Sequence, residues 1–431
     1  MKNIGSKLNF IALFLIVIAL LIGNESFEYN EIESGLVDKS DTAWMIVACA
    51  FVLLMTPGLA FFYGGMVNIK SIISTMLQSF VALGVISIIW VFVGFSLAFG
   101  DSYYGIIGNP LTYLNFKGVT LLPNENFGPT IPFLLFAFFQ LKFAIITPAI
   151  ISGSFAERIR FRSYILFMLL FTLFIYSPLA HMTWHPEGLF RKWGVLDFAG
   201  GTVVHMSAGI AALSGALFLG KRKKIETKPA NIPFVILGTG LLWFGWFGFN
   251  AGSALGANTD AVISFANTNL ASASSMITWL FYDRFFNRKM SALGACIGAI
   301  VGLVAITPAA GFVTLGESVF IGFISAIISN VSITLFKKTK IDDTLDVFPS
   351  HGVGGIVGMI LTAVFANDVG LTSGITSLFY AHLIAIVLVV LFTLLMSYFL
   401  LKVVDLIIPL RVRRDQEERG LDASQHGELF V

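Results

Sequence analysis

Apolar residues in this chain come in long, nearly unbroken runs, without the alternation of a half-buried strand or the narrow stripe of a surface helix. Eleven runs are long enough to cross a bilayer as helices, because a hydrocarbon core about 30 Å thick takes roughly 20 residues. They cover about 43–66, 72–99, 131–155, 163–184, 199–219, 232–252, 261–282, 291–307, 318–336, 352–367 and 377–406. The shorter ones carry Gly or Pro and are expected to be broken or tilted. No connection is long enough to fold alone, so residues 41–406 read as one all-α membrane domain, followed by a polar tail over 407–431. The longest connection, about 100–130, holds the turn signals Gly108-Asn-Pro110 and Pro123-Asn-Glu-Asn126.

The beginning of the chain reads differently. Lys2 and Lys7 precede an apolar run from Leu8 to about Gly23, and acidic, loop-like sequence follows. That is the layout of a signal peptide over 1–24. An uncleaved twelfth helix stays open beside it, because Leu21-Ile-Gly23 is not a clear small-x-small cleavage site.

Composition agrees with a bilayer setting, at 56% hydrophobic and 12% charged residues. The formal net charge of +2 conceals a strong asymmetry. With alternate connections counted together, 20 basic residues fall on one side, among them Arg158, Arg160, Arg162, Lys221 to Lys224, Lys337 and Arg411, against four on the other, Lys39, Lys117, Arg191 and Lys192. The positive-inside rule then puts the mature N-terminus outside and the C-terminus in the cytoplasm, as for a multi-pass protein of the cytoplasmic membrane. The basic clusters are topology signals and not nucleic-acid sites. Cys49 and Cys296 both lie in spans, so they point to neither a disulfide framework nor a metal centre.

Two histidines stand out because ionisable groups at membrane depth are rare and mark functional sites. His205 lies in Gly-Gly-Thr-Val-Val-His-Met-Ser-Ala-Gly-Ile and His351 in Phe-Pro-Ser-His-Gly-Val-Gly-Gly-Ile. Each has an aspartate eight residues earlier, Asp197 and Asp343, and Gly-Ile four residues later. The repeated context suggests two halves meeting at one polar site. Spans one to five and six to ten would form an inverted repeat, since five spans per half reverse the second half in the membrane. The eleventh span stands outside the repeat.

At Asp197-Phe-Ala-Gly-Gly-Thr-Val-Val-His205, Gly245-Trp-Phe-Gly-Phe-Asn-Ala-Gly-Ser253 and Asp342-Asp-Thr-Leu-Asp-Val-Phe-Pro-Ser-His351, the sequence resembles the ammonium transporter (Amt/Mep/Rh) family, of the bacterial Amt type. Further matches are Phe139-Gln-Leu-Lys-Phe143, Ala156-Glu-Arg-Ile-Arg-Phe161, Ala180-His-Met-Thr-Trp184, Ile306-Thr-Pro-Ala309 and the tail Glu418-Arg-Gly-Leu-Asp-Ala-Ser-Gln-His-Gly-Glu428. The resemblance implies a homotrimer with one pore per protomer and no cofactor. It casts Trp184, Phe143 and Ser253 as an outer recruitment site for ammonium, and methylammonium as a further possible substrate. Phe139 and Phe249 take the part of a stacked gate, and His205 with His351 that of a hydrogen-bonded pore pair. Asp197 becomes the buried carboxylate needed for conduction, while Trp246 and Thr307 fall near the pore and the outer vestibule respectively. The tail is implied to be ordered, to reach a neighbouring protomer, and to sit on a face where a PII-type signal protein docks.

Elementary electrostatics fits that division of labour. Taking an ammonium-sized ion into a low-dielectric medium costs on the order of 20 kcal/mol in the idealised limit, whereas a desolvated cation–π contact returns only about 2 kcal/mol. An aromatic cage can therefore select the ion but cannot carry it through an apolar pore. Deprotonation removes most of the penalty, and a neutral imidazole, with one donor and one acceptor nitrogen, can guide ammonia and relay a proton. The expected sequence is outer binding, deprotonation near Asp197 and the histidines, and passage of ammonia with net charge transfer.

Plainer roles stand beside these. His181 and His382 read as hydrogen-bonded packing residues. Asp197 also has the pattern of a helix N-cap, which is compatible with stabilising a cation. Phe139, Phe143 and Phe249 belong to 43 phenylalanines, so their pore roles rest on the resemblance. Lys142, inside a span, and His185-Pro-Glu187 after Trp184 depart from the commoner family pattern. An ammonium sensor with the same fold is the alternative function. An intramembrane metalloenzyme or haem protein would need a His-Glu-x-x-His or paired-Cys constellation that this sequence lacks.

Overall fold

The computed structural model describes residues 13–21, 36–223, 225 and 228–430. The expected signal peptide over 1–24 therefore lies largely outside the described residues; its 13–21 portion is helical, and the Asn115 side-chain amide donates to the Ala19 carbonyl at 3.0 Å.

In chain order the long helices are α1 (Lys39–Met66), α2 (Ile69–Phe99), α3 (Phe133–Phe155), α4 (Phe161–Lys192), α5 (Gly201–Leu219), α6 (Ile232–Ala254), α7 (Thr259–Phe285), α8 (Ala292–Ile306), α9 (Leu315–Phe336), α10 (Phe348–Phe365) and α11 (Ser377–Ile407). Among the described residues, nine of these, all except α7 and α8, are long and apolar enough to cross a membrane. A mostly helical, multi-pass membrane protein is the result. Among the described residues, strands are confined to the 100–132 connection, where β1 (Ser102–Tyr103) pairs with β2 (Ile107–Gly108) and β3 (Pro123–Asn124) with β4 (Gly128–Pro132), each antiparallel.

Helix starts extend beyond the apolar runs wherever a polar cap supplies them. Asp38 Oδ1 accepts from the backbone N–H groups of Ser40 and Asp41 at 2.8 and 2.9 Å, so α1 begins four residues before its hydrophobic run. Thr314 and Glu317 form a reciprocal capping box that opens α9.

Small residues let the helices meet. Gly238, Gly245 and Gly252 recur every seven residues on α6 and face α1 or α3. A Cβ at Gly238 would lie 2.3 Å from Phe62 N and one at Gly245 2.7 Å from the Phe51 carbonyl oxygen. The same device joins α7, α8 and α9, where Cβ atoms at Gly302 and Gly322 would lie 2.4 and 2.2 Å from the Ala271 carbonyl oxygen.

At the centre, α5 crosses α10 through a reciprocal pair of contacts. A Cβ at Gly209, four residues after His205, would sit 2.1 Å from Gly352 N, next to His351. One at Gly355, four residues after His351, would sit 3.1 Å from Met206 N, next to His205. Both histidines also lie in single π-helical turns, Gly201–Met206 and Phe348–Val353, the wider turn type that recurs at functional sites.

The tail folds back on the body of its own chain through a short helix, α12 (Arg414–Arg419). Asp422 is buried and its carboxylate accepts from Ile73 and Ser74 N–H at 3.1 and 2.7 Å. Arg411 donates to the Leu219 and Lys221 carbonyls at 2.7 Å and pairs with Glu417 at 2.9 Å.

Candidate functional site

Asp197 organises the start of α5. Its Oδ1 accepts from Gly200 and Gly201 N–H at 2.9 and 2.6 Å, and its Oδ2 accepts from Thr202 N–H at 2.7 Å and from the Thr202 hydroxyl at 2.5 Å. Convergence of three successive N–H groups on one carboxylate needs the turn at Gly200, whose φ of +115° favours glycine. The capping reading of Asp197 is thus present in the structure. Asp343, its counterpart before His351, makes a thinner cap: Oδ2 accepts from Phe348 N–H at 2.7 Å, and burial raises this carboxyl above the usual range.

A vestibule of ≈ 320 Å³ opens beside this cap, and its lining includes Gln140, Phe143, Trp184, Asp197 and Ser253. Trp184 Nε1–H donates to the Asp197 carbonyl at 3.1 Å, which fixes the indole plane. The Ser253 hydroxyl donates to the Phe249 carbonyl at 2.9 Å, leaving its oxygen lone pairs as acceptors. The three residues expected at a recruitment site therefore share one cavity.

Beside them a group of aromatic rings packs together. Phe143 lies over Phe249 with ring centroids 4.2 Å apart and 32° between planes, and it meets Trp184 edge-on at 5.7 Å. Phe139, expected to stack on Phe249, meets Phe143 edge-on at 5.0 Å and packs against Gly252, where a Cβ would approach its ring to 2.8 Å. The two phenylalanines stand one turn apart on the same face of α3, and the ring that lies over Phe249 is that of Phe143.

Beyond the ring pair lies a second, narrow cavity of ≈ 10 Å³, the room of a single water-sized molecule. Met55, Ile146, Leu242 and Ile300 make its wall apolar, and His205, His351 and Trp246 reach into it. The histidines are buried, with their Nδ1 atoms 3.4 Å apart and their rings inclined by 32°.

Thr307, expected at the outer vestibule, instead joins the histidine pair. It follows the last residue of α8, and its hydroxyl bonds back to the Leu303 carbonyl at 2.8 Å, which turns the oxygen toward α5 and α6. There it accepts Trp246 Nε1–H at 2.9 Å and stands 3.3 Å from His205 Nε2. Because the single hydroxyl hydrogen goes to Leu303, His205 Nε2 must be the donor in that contact. His205 Nδ1 then carries the lone pair and accepts from His351 Nδ1–H, which leaves His351 Nε2 as an acceptor. Hydrogen-bond valence thus orders both tautomers.

His181 and His382 are saturated. His181 bridges the Ala98 carbonyl at 2.9 Å and the Ser102 hydroxyl at 2.8 Å, and His382 bridges the Met359 carbonyl and Leu196 N–H, each at 2.9 Å. Lys142 is half-buried with Nζ 5.7 Å from the Phe138 ring centre. Both cysteines are free and buried.

At the end of the helices that carries the tail, a cavity of ≈ 310 Å³ is lined by Asp342, Asp343, Asp346, Arg222 and Lys337 among others. Arg222, itself partly buried, bonds the buried Asp342 at 2.9 Å and the buried Glu157 at 3.1 Å. Arg158, fully buried, donates to the Thr344 hydroxyl and the Asp342 carbonyl at 2.5 Å, and burial lowers it to about 10. Burial also raises the Asp346 carboxyl to about 6. Sequence reasoning missed these acidic residues as a group, because only Asp343 stood in a repeated context.

Comparison with known proteins places this architecture. Residues 43–430 match the Ammonium Transporter Family. An ammonium transporter of Aquifex aeolicus is 46% identical over 402 residues, covering 91% of this chain and 93% of the relative. One from Bacillus subtilis is 44% identical over 401 residues, covering 91% and 98%. The crystal structure of Saccharomyces cerevisiae Mep2 superposes with a TM-score of 0.84 at 34% identity, covering 91% of this chain and 92% of that one. A structure described as a sensor Amt protein gives a TM-score of 0.84 at 30% identity, covering 92% and 99%. With a family match from the first long helix to the end of the tail and close agreement in fold, this chain belongs to the ammonium transporter family.

Proposed function

We propose that the protein takes up ammonium across the cytoplasmic membrane by binding the ion outside, removing a proton, conducting ammonia past the histidines and transferring charge inward. The observation that carries this reading is the order of the cavities: a polar aromatic vestibule, a closed Phe143–Phe249 pair, then a narrow apolar cavity whose polar edge is His205 and His351. Trp184, Phe143 and Ser253 recruit the ion through π faces and a hydroxyl oxygen. Phe143 and Phe249 form the gate, with Phe139 supporting it. Asp197 contributes negative charge beside the vestibule while capping α5. An apolar cavity the size of one small molecule suits neutral ammonia and rejects a bare cation by its desolvation cost. Potassium has no proton to lose, so the same step excludes it. Proton movement along the pair must invert both tautomers, and Thr307 sets the resting arrangement.

In this reading all eleven helices span the membrane as an inverted repeat of five plus five with α11 outside it, preceded by a signal peptide and with the C-terminus in the cytoplasm. The reciprocal Gly209–Gly352 and Gly355–Met206 contacts support the repeat. Three copies assemble, each with its own pore. The polarity of α7 supports assembly: Asn269 is exposed at mid-helix, where lipid would leave its amide without partners and a second copy would not. The tail couples protomers, and the basic cytoplasmic connections receive a PII-type signal protein.

A sensor is the second reading, favoured by the likeness to the sensor Amt structure. Purified protein in liposomes separates the two. Uptake is read by an internal pH dye after an outside ammonium step, and binding by calorimetry on the same preparation. Binding together with flux well above that of empty liposomes is expected for the transporter; binding without flux would make it a sensor.

A further inference from the structure

The outer vestibule contains an oxygen acceptor with nothing to accept. Gln140 is 8% exposed and lines the same cavity as Phe143, Trp184 and Ser253, yet its Oε1 has no hydrogen-bond partner. A buried carboxamide oxygen left unpaired is destabilising, and such groups in folded proteins call for an explanation. Packing alone would be served better by an apolar residue on α3. In the resting arrangement that oxygen has almost no accessible surface, so a cation in the cavity would select the carboxamide turned end for end, which brings the oxygen to the vestibule in place of the amide nitrogen.

An ammonium ion brings four N–H donors into this space, and the neighbours cannot answer them all. Both Asp197 oxygens already accept two hydrogen bonds each from residues 200–202. Ser253 offers one acceptor oxygen, since its hydrogen goes to the Phe249 carbonyl. The rings of Trp184 and Phe143 give π faces, which attract charge without matching individual N–H directions. Resting on the recruitment site proposed above, we infer that Gln140 is a coordinating residue of that site, its side-chain oxygen accepting one N–H of the partly dehydrated ion and so favouring ammonium over methylammonium. Methylammonium replaces one N–H by a methyl group, which gains from the aromatic faces and gains nothing from a carbonyl oxygen.

The test titrates ammonium and methylammonium currents on solid-supported membranes for wild type, Gln140→Leu and Gln140→Glu. Loss of one hydrogen bond to a cation corresponds to about tenfold in affinity. Gln140→Leu is expected to raise the half-saturating ammonium concentration about tenfold and the methylammonium value only about twofold to threefold, with maximal current little changed. Gln140→Glu keeps an acceptor oxygen and is expected to retain the ammonium preference. The ratio of the two half-saturating values does not depend on how much protein folds. An equal shift for both cations, or no shift, would overturn the inference and leave Gln140 as a packing residue. Calorimetric binding of both cations to the same three proteins reads the ratio without flux. A wild type that binds but passes no current therefore defeats the transport reading, while the comparison at Gln140 is still decided.

Discussion

Thr307 holds three hydrogen-bond relations at once, to Leu303, Trp246 and His205, and through the last it decides which nitrogen of each histidine carries hydrogen. Replacing it by valine keeps the shape and removes the acceptor. Thr307→Val is expected to lower ammonium-driven current about fivefold, the scale of one hydrogen bond of about 1 kcal/mol, and to cost about 1–3 kcal/mol of stability because the buried Trp246 Nε1–H loses its acceptor, while Thr307→Ser retains most of the current and the stability. Equal losses in both variants would contradict the tautomer argument. At this scale the sequence was legible where chemistry is rare. His205 and His351 announced themselves because imidazoles seldom enter apolar runs, and Asp197 because its spacing repeats at Asp343. Phe139 and Phe143 were ambiguous, since two identical rings one turn apart on the same helix face differ only in depth. Thr307 and Gln140 carried no signal strong enough to assign a partner, because uncharged polar residues are common in spanning helices and their contacts depend on helix rotation.

At the scale of elements, hydropathy located helices well and their ends poorly. The run expected at 352–367 begins at Phe348 as part of α10, because the histidine turn and Pro349 interrupt the apolar pattern at the place where the π-helical turn forms. α7 was visible as a run, but its Ser and Asn residues keep it below the hydropathy of a span that faces lipid throughout. Close packing at glycines is the feature that pattern reading could only suggest. Gly209→Ala would drive a methyl group toward the Gly352 backbone, so about 1–3 kcal/mol of destabilisation and a strong loss of current are expected. Gly240→Ala, on α6 where a Cβ would have nothing within 4 Å, should leave both unchanged. Thermal unfolding in detergent beside a current measurement checks the pair, and similar behaviour of the two variants would defeat the packing account.

For the whole molecule, one face ties the tail to the long helices. Asp422 accepts from the Ile73 and Ser74 N–H groups in the first turns of α2, and a lost helix cap costs about 0.5–2 kcal/mol. Asp422→Ala is expected to make the tail beyond Arg414 sensitive to protease while the membrane domain stays intact; an unchanged cleavage pattern would contradict the docking. Asp346 adds a pH dependence at the cavity it lines with Asp342 and Asp343. Its carboxyl is held near 6 in the folded chain against an ordinary value of 3.8, so the folded state binds its proton more tightly. That contribution is present below pH about 4 and is lost as pH rises through 6. The stability difference between wild type and Asp346→Asn should therefore shift against the wild type across this window and level off above it, in melting curves at fixed ionic strength; parallel curves would contradict it. The central claim is that ammonium crosses as ammonia while its proton is carried separately as charge. Its most direct test is the current across solid-supported membranes after an ammonium pulse, with potassium as control, for wild type and Asp197→Ala. A transient for ammonium alone that disappears in the variant is the expected result. A transient of similar size with potassium, or one that survives in Asp197→Ala, would contradict the account.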